Sequence, residues 1–321
     1  MKNQIINIIV KIFFISIFIG AFFAYCEYRL YNTTFRLDHK KNNFENKIDS
    51  IQVLVLGSSH SLYGINPDFF PIKGYNLAMV SQSLYYDKEI VVKYIEKMPS
   101  LQYVLIEISY FSLWYEVYRS EENWRDKYYF KYWEINPNNS EFDNLKNKSG
   151  IEMFGINFTQ NAIRKNFKIY FSDNKPTENG WFNPAGLPWN PDNTFFKDSM
   201  NEEAGKLAIE KHNKVMHDEL FDANKSYLDE ILFSIKKKQL IPVIVTLPVY
   251  KSYSNNADIE KIKLINKTVF DLCAKYDCKY YNFFYDNNFN SDDFIDNDHL
   301  SPSGAEKFSK QISIKIFNNR N

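Results

Sequence analysis

Five short apolar runs punctuate the chain, and several segments between them place apolar residues at helical spacing. The run IQVLVLG, residues 51–57, is continuous, β-branched and closed by glycine, which predicts a strand buried on both faces. GYNLAM (74–79), YVLIEIS (103–109), LIPVIVTLP (240–248) and KYYNFF (279–284) read as four further strands. Between them, residues 83–98 space Leu84, Ile90, Val91, Tyr94 and Ile95 as one helical face and stop before Pro99. Residues 201–238 read as one long amphipathic helix, 257–276 as another and 303–317 as the last, with Ser301 or Ser303 as its N-cap. Strands alternating with helices predict an α/β fold, a three-layer α/β/α sandwich around a parallel sheet. The long stretch 110–200, between the third and fourth strands, shows no period and is rich in Trp, Tyr, Phe, Asn and Asp. It reads as an insertion covering the C-terminal edge of the sheet, with NGWFNPAGLPWNPDN (179–193) as an ordered loop held by aromatic anchors.

Before the first strand the pattern changes. IINIIVKIFFISIFIGAFFAYC, residues 5–26, is broken only by Lys11 and is long enough to cross a hydrocarbon layer of ~30 Å as a helix. This predicts an uncleaved transmembrane anchor over 1–26, a polar stalk over 27–50 and a single domain over 51–318. The alternative is a cleaved signal peptide, for which Ala21 and Ala24 offer the small residues. Lipoprotein processing at Cys26 is disfavoured by Tyr25 before it. Lys2 and Lys11 precede the span and Arg29 and Arg36 follow it, and a short leader with the N-terminus inside places the domain outside the cytoplasm.

Composition narrows the function. Lys+Arg 39 balance Asp+Glu 39, so the chain lacks the basic field of a nucleic-acid binder. The three cysteines, Cys26, Cys273 and Cys278, have neither zinc nor redox spacing. Cys273 and Cys278 can approach across a helix-to-strand turn, although two free thiols is the simpler reading.

In open parallel sheets ligands bind beyond the strand C-termini. Gly57-Ser58-Ser59-His60 follows the first strand and so lies at that edge. Near the other end, DNDHLSPSGAEKFS (296–309) places Asp296 and His299 in a loop just before a helix. A tight turn lets that carboxylate reach the nearer ring nitrogen and leaves the other free to take a proton from a serine, the logic of nucleophile, base and orienter.

These two blocks, in this order and at these ends of the fold, resemble the SGNH (GDSL-type) hydrolases over about residues 51–315. The resemblance implies a flavodoxin-like three-layer fold and serine esterase or acyltransferase activity without cofactor or metal. It implies Ser59 as nucleophile, His299 as base and Asp296 as orienter. Ser58 stands where the family usually has Asp. The second block maps to NLAMVSQSL (76–84), where Ser81 stands for the family's Gly, so the backbone N–H groups of Ser59 and Ser81 and the Gln82 side chain are the oxyanion-hole candidates. The third block, EISYFSL (107–113), has no Asn. The anchor, the Gly-Ser-Ser block and TLPVY (246–250) are similar to a narrower group of anchored SGNH-like proteins that accompany acyl transfer onto envelope polymers. That likeness implies an acyl donor, a glycan or polymer acceptor, and a multi-spanning O-acyltransferase as partner. A non-catalytic scaffold or glycan-binding protein on the same fold is the other reading.

Some residues keep alternatives. His60 is a rival base, or lines the substrate cleft with Ser58. Asp298 and Asp293 compete with Asp296. His212 and His217, five apart, do not share a helical face as metal ligands would and read as solvated surface. NSDDFIDNDH (290–299) lacks the periodicity of a calcium loop. The aromatic insertion is core and cover, or a platform on which sugars stack.

Overall fold

The computed structural model describes residues 2–32, 36–137, 176–184 and 200–318. Most of the expected insertion, and the greater part of the 179–193 loop, lie outside them.

Five parallel strands form one sheet: β1 (Val53–Leu56), β2 (Gly74–Asn76), β3 (Tyr103–Glu107), β4 (Ile241–Thr246) and β5 (Lys279–Asn282), in the order β2-β1-β3-β4-β5. Each strand lies inside its apolar run, and the predicted α/β architecture is the one observed. Pleating sends alternate residues of β1 to opposite faces. Leu54 and Leu56 join one core and Val53 and Val55 the other, all four fully buried or nearly so. The first core is closed by α4 (Leu84–Tyr94), α7 (Phe221–Lys237) and α9 (Ile259–Tyr276), and the second by α10 (Pro302–Phe317).

The order reverses between β2-β1 and β3-β4-β5, so β1 and β3 flank the point where ligands bind in such sheets. The turn after β1 depends on one glycine. Gly57 has φ +129°, and a Cβ there would lie 2.6 Å from Glu107 Cβ. It leads into α3 (Ser59–Gly64), capped by Ser58.

Three expectations are corrected. The helix predicted over 201–238 is two, α6 (Glu202–Val215) and α7, because the chain turns extended at Met216 and His217, where the His217 N–H is drawn onto Trp114 O (2.9 Å). Cys273 and Cys278 are joined in a disulfide, Cα atoms 4.5 Å apart, across the left-handed residue Asp277 that ends α9. The segment expected as a stalk is not one throughout. The apolar helix α1 (Lys2–Asn32), whose Gln4–Phe22 portion is long and apolar enough to cross a membrane, is followed by α2 (Arg36–Lys47), which packs on the domain. Phe44 is fully buried between Tyr75 and Tyr94, the buried Lys40 donates to Ala78 O, and Tyr75 Oη donates to Lys40 O (2.6 Å).

Gly57→Ala should lower stability by about 2–4 kcal/mol, through the positive φ and the collision with Glu107. The urea midpoint measures it, and a shift within error of wild type would show that the turn has room for a side chain.

Candidate active site

The site begins with how the β1–α3 turn is fastened. Glu107 ends β3 beside Gly57 and is buried; its Oε2 accepts Ser58 N–H and Ser58 Oγ–H, each at 2.9 Å, and its Oε1 accepts the Ser109 hydroxyl. A buried carboxylate needs such donors, and here they fix the backbone that carries Ser59. On the other side Gly57 N–H reaches Asp87 Oδ1 (3.2 Å). Ser59, first residue of α3, is half-buried, and its backbone N–H has no acceptor within the helix.

A loop from the far end of the chain meets it. Phe294 and Leu300 pair as an antiparallel bridge, and Ser301 caps α10 through Gly304 N–H (3.2 Å). Inside that loop Asp296 Oδ1 accepts the backbone N–H groups of Asp298 (3.1 Å) and His299 (2.8 Å). Both oxygens of the same carboxylate lie 3.0 Å from His299 Nδ1. His299 Nε2 lies 2.8 Å from Ser59 Oγ. Asp296 thus folds the loop and orients the ring, and with Nδ1 protonated toward it Nε2 is an acceptor for the serine proton.

A second carboxylate stands next to the first. Asp298 is buried, its Oδ1 3.6 Å from His299 Nδ1 and its Oδ2 3.4 Å from His60 Nε2 and 3.7 Å from His212 Nε2. Burial opposes its charge, but the three imidazoles hold its carboxyl well below the usual range. Burial lowers His299 too, and the charges of Asp296 and Asp298 outweigh it, raising the imidazole to about 9. Burial lowers His212 to about 4.

The structure brings Ser59, Asp296 and His299 together and redistributes the other candidates. His60 is buried rather than lining a cleft. Its ring stacks on His299 with centroids 4.8 Å apart, and its Nδ1 meets Ser58 Oγ (3.1 Å) and Ser109 Oγ (3.0 Å). Ser58, 2 % exposed, caps α3 and feeds Glu107, so it too is support rather than cleft. Ser81 gives its hydroxyl to Glu122, and Gln82 gives its amide to Asp87 Oδ1 (2.6 Å) while accepting from Tyr129 (3.1 Å). The Gln82 side chain thus has other partners, and the expectation for Ser59 and Ser81 concerns their backbone N–H groups, which these side-chain bonds do not engage. Asp293 caps the turn at Ser291–Asp293 and pairs with Lys307 (2.7 Å). His217 stays at the periphery, 3.9 Å from Glu219.

His212 is a correction. It faces the site, because Gly205 lets α6 pass against the Ser252 backbone, where a Cβ would lie 2.1 Å from Ser252 O. Its Nδ1 is held by Tyr253 Oη (2.6 Å). Sequence reasoning also missed Glu107, whose signal is a lone charge inside an apolar run. As a metal group, His60, Asp298 and His299 are close enough together, but the two rings lie 25° from parallel and face to face, so their lone pairs run side by side rather than converge.

No protein-family model matches the chain, and no curated protein does. Among solved structures it is similar to one described as "The structure of a putative platelet activating factor from Streptococcus pneumonia", at 10% identity and TM-score 0.40, covering 94% of this chain and 97% of that one. A likeness this distant carries no functional argument.

Three buried carboxyls beside the turn are raised by burial: Asp87 to about 7, Glu116 to about 8 and Asp126 to about 6. Unfolded carboxyls titrate near ~4, so between there and these values the native state holds more protons and stability falls as pH rises. Glu116→Gln should therefore stabilise the protein at pH 9 relative to wild type by about 1–3 kcal/mol, and by much less at pH 5. Thermal melts at the two pH values measure it, and an equal effect at both would remove Glu116 from the slope.

Proposed function

We propose that this protein is a serine-dependent acyl-transfer enzyme, an esterase or O-acyltransferase of the SGNH type. The observation that carries the reading is the continuous line Ser59 Oγ–His299 Nε2 (2.8 Å) and His299 Nδ1–Asp296 (3.0 Å), assembled from residues 240 apart in sequence.

In this mechanism Ser59 Oγ attacks an ester carbonyl and its proton passes to His299 Nε2. The imidazolium is held by Asp296, with Asp298 as a second negative charge. The Ser59 N–H, with backbone N–H groups of the loop after β2, receives the oxyanion. The leaving alkoxide takes the proton from His299, and an acyl-Ser59 ester remains. His299 then deprotonates an incoming hydroxyl, from water for hydrolysis or from a sugar for transfer, and Ser59 leaves with its proton restored.

The cellular setting belongs to the same proposal. The Cys273–Cys278 disulfide favours an oxidising compartment, and the apolar α1 an anchored, extracytoplasmic domain. There the enzyme acylates or deacylates a cell-surface polysaccharide, with an acyl donor, a polymer acceptor and a multi-spanning O-acyltransferase as its partners.

With an activated acetyl ester, Ser59→Ala should lose at least ~10³-fold in kcat/KM and the acetyl adduct that mass spectrometry finds on wild type. Unchanged turnover in Ser59→Ala, or a wild type that neither hydrolyses nor acquires the adduct, overturns the reading.

A base must be neutral to accept a proton, so kcat/KM should climb with pH past the ordinary imidazole range toward about 9. Asp298→Asn removes one raising charge and should move that climb to lower pH. A pH–rate profile flat above pH 6 would contradict both.

A further inference from the structure

The direction of α2 carries information about the edge on which the site lies. Near its start, Lys40 is bonded to Ala78 O. Ala78 belongs to the strand-end loop in which Met79 N–H donates to Gly57 O (3.2 Å), two residues before Ser59. At its end, Lys47 reaches Glu178 (2.9 Å), and Asp49 O just beyond accepts from Ser100 (2.6 Å), at the edge where β1 begins. α2 therefore runs down the sheet from the site-bearing edge to the opposite one. Its first residue, Arg36, lies about 6 Å beyond Lys40 by helical rise. The chain leading to α1 leaves the domain from the site-bearing edge.

The tether is short. From Phe22, the end of the apolar span, helix continues to Asn32, about 15 Å by helical rise. The steps from Asn32 to Arg36 add at most ~14 Å even fully extended. A folded unit of this size is on the order of 45 Å across. A tether of under ~30 Å, starting at the site-bearing edge, cannot double back past the whole domain.

We propose that the edge carrying Ser59 and His299 faces the bilayer, and that the ester it meets is borne by an amphiphile held in that bilayer. The substrate part rests on the serine reading above; the orientation does not. The side chains around the site fit such an ester. Leu62, Tyr63, Ala78 and Phe182 form a small apolar cluster of their own on this edge, with Tyr63 edge-on to the His299 ring at 5.5 Å. The four side chains are buried, so the wall behind the His299 ring is apolar.

The test uses the full chain in vesicles of phosphatidylcholine and phosphatidylglycerol. In a Cys26→Ser background, one variant carries Lys251→Cys, an exposed position after β4 on the site-bearing edge. Another carries Lys279→Cys, an exposed position at the start of β5 on the opposite edge. Each is labelled with a fluorophore and exposed to a headgroup-attached quencher. Quenching at least threefold stronger at position 251 is expected. Equal quenching, stronger quenching at 279, or recovery of the chain in the aqueous phase overturns the orientation.

A second arm inserts twenty Gly/Ser residues between Asn32 and Arg36. It should cut turnover of a vesicle-borne fluorogenic acyl ester at least threefold and leave a soluble acetyl ester unaffected. Equal turnover of the vesicle-borne ester overturns the substrate class. Loss of all soluble-ester activity in wild type sinks the serine reading alone, since the quenching ratio does not depend on it.

Discussion

The carboxylate of Glu107 sits where β1 and β3 end side by side, and it accepts Ser58 N–H, Ser58 Oγ–H and the Ser109 hydroxyl. Its side chain lies so close to Gly57, itself at a positive φ, that glycine is the residue that fits there. These two facts imply each other. The carboxylate has donors because the turn passes within hydrogen-bond reach, and the turn passes there because Gly57 has no Cβ and takes a positive φ. Ser59 inherits its position from this junction. On the proposed reading of Ser59 as nucleophile, a misplacement of about 1 Å forfeits much of what orientation contributes, so these charge-assisted hydrogen bonds would constrain function as well as structure.

The same network reaches the base by a second route. Ser58 and Ser109 hold His60 Nδ1, His60 Nε2 points at Asp298, and Asp298 also faces His299 and His212. One buried carboxylate among three imidazoles is stable only if the group as a whole carries compensating protons. Burial drives His212 toward neutrality, while His299 is drawn to its protonated form. His60 also stacks on the His299 ring, centroids 4.8 Å apart. A hydroxyl at position 58 suits this arrangement better than a carboxylate would, because Glu107 already supplies the negative charge and needs a donor.

Much of this was legible in the chain. Five short apolar runs marked the strands, most plainly in β1, β3 and β4, where burial on both faces leaves no polar alternation to confuse the pattern. Asp296 and His299 were legible because only two residues separate them in a loop before a helix. Glu107 was legible in principle, as one charge in YVLIEIS. The rest depended on long-range packing. Nothing local distinguishes RLDHKKNNFENK from a solvated helix; its burial comes from Phe44 entering the core and Lys40 finding a carbonyl. His212 read as surface because its partner Tyr253 lies 41 residues away, in a segment that packs against α6 where Gly205 meets the Ser252 backbone. The break after α6 had no glycine or proline to announce it.

Lys40 connects the two ends of this reasoning. A lysine ammonium bonded to one carbonyl and otherwise enclosed is costly, and burial pulls its pKa well below the normal value. The cost is met where it ties α2 to the loop beside Gly57. The sequence order places the apolar α1 immediately before that helix. The packing of α2 onto the domain is therefore tied at the edge where β1 ends, through Lys40 and Tyr75. A change between α1 and α2 reaches the surroundings of Gly57 and Ser59 through these two residues.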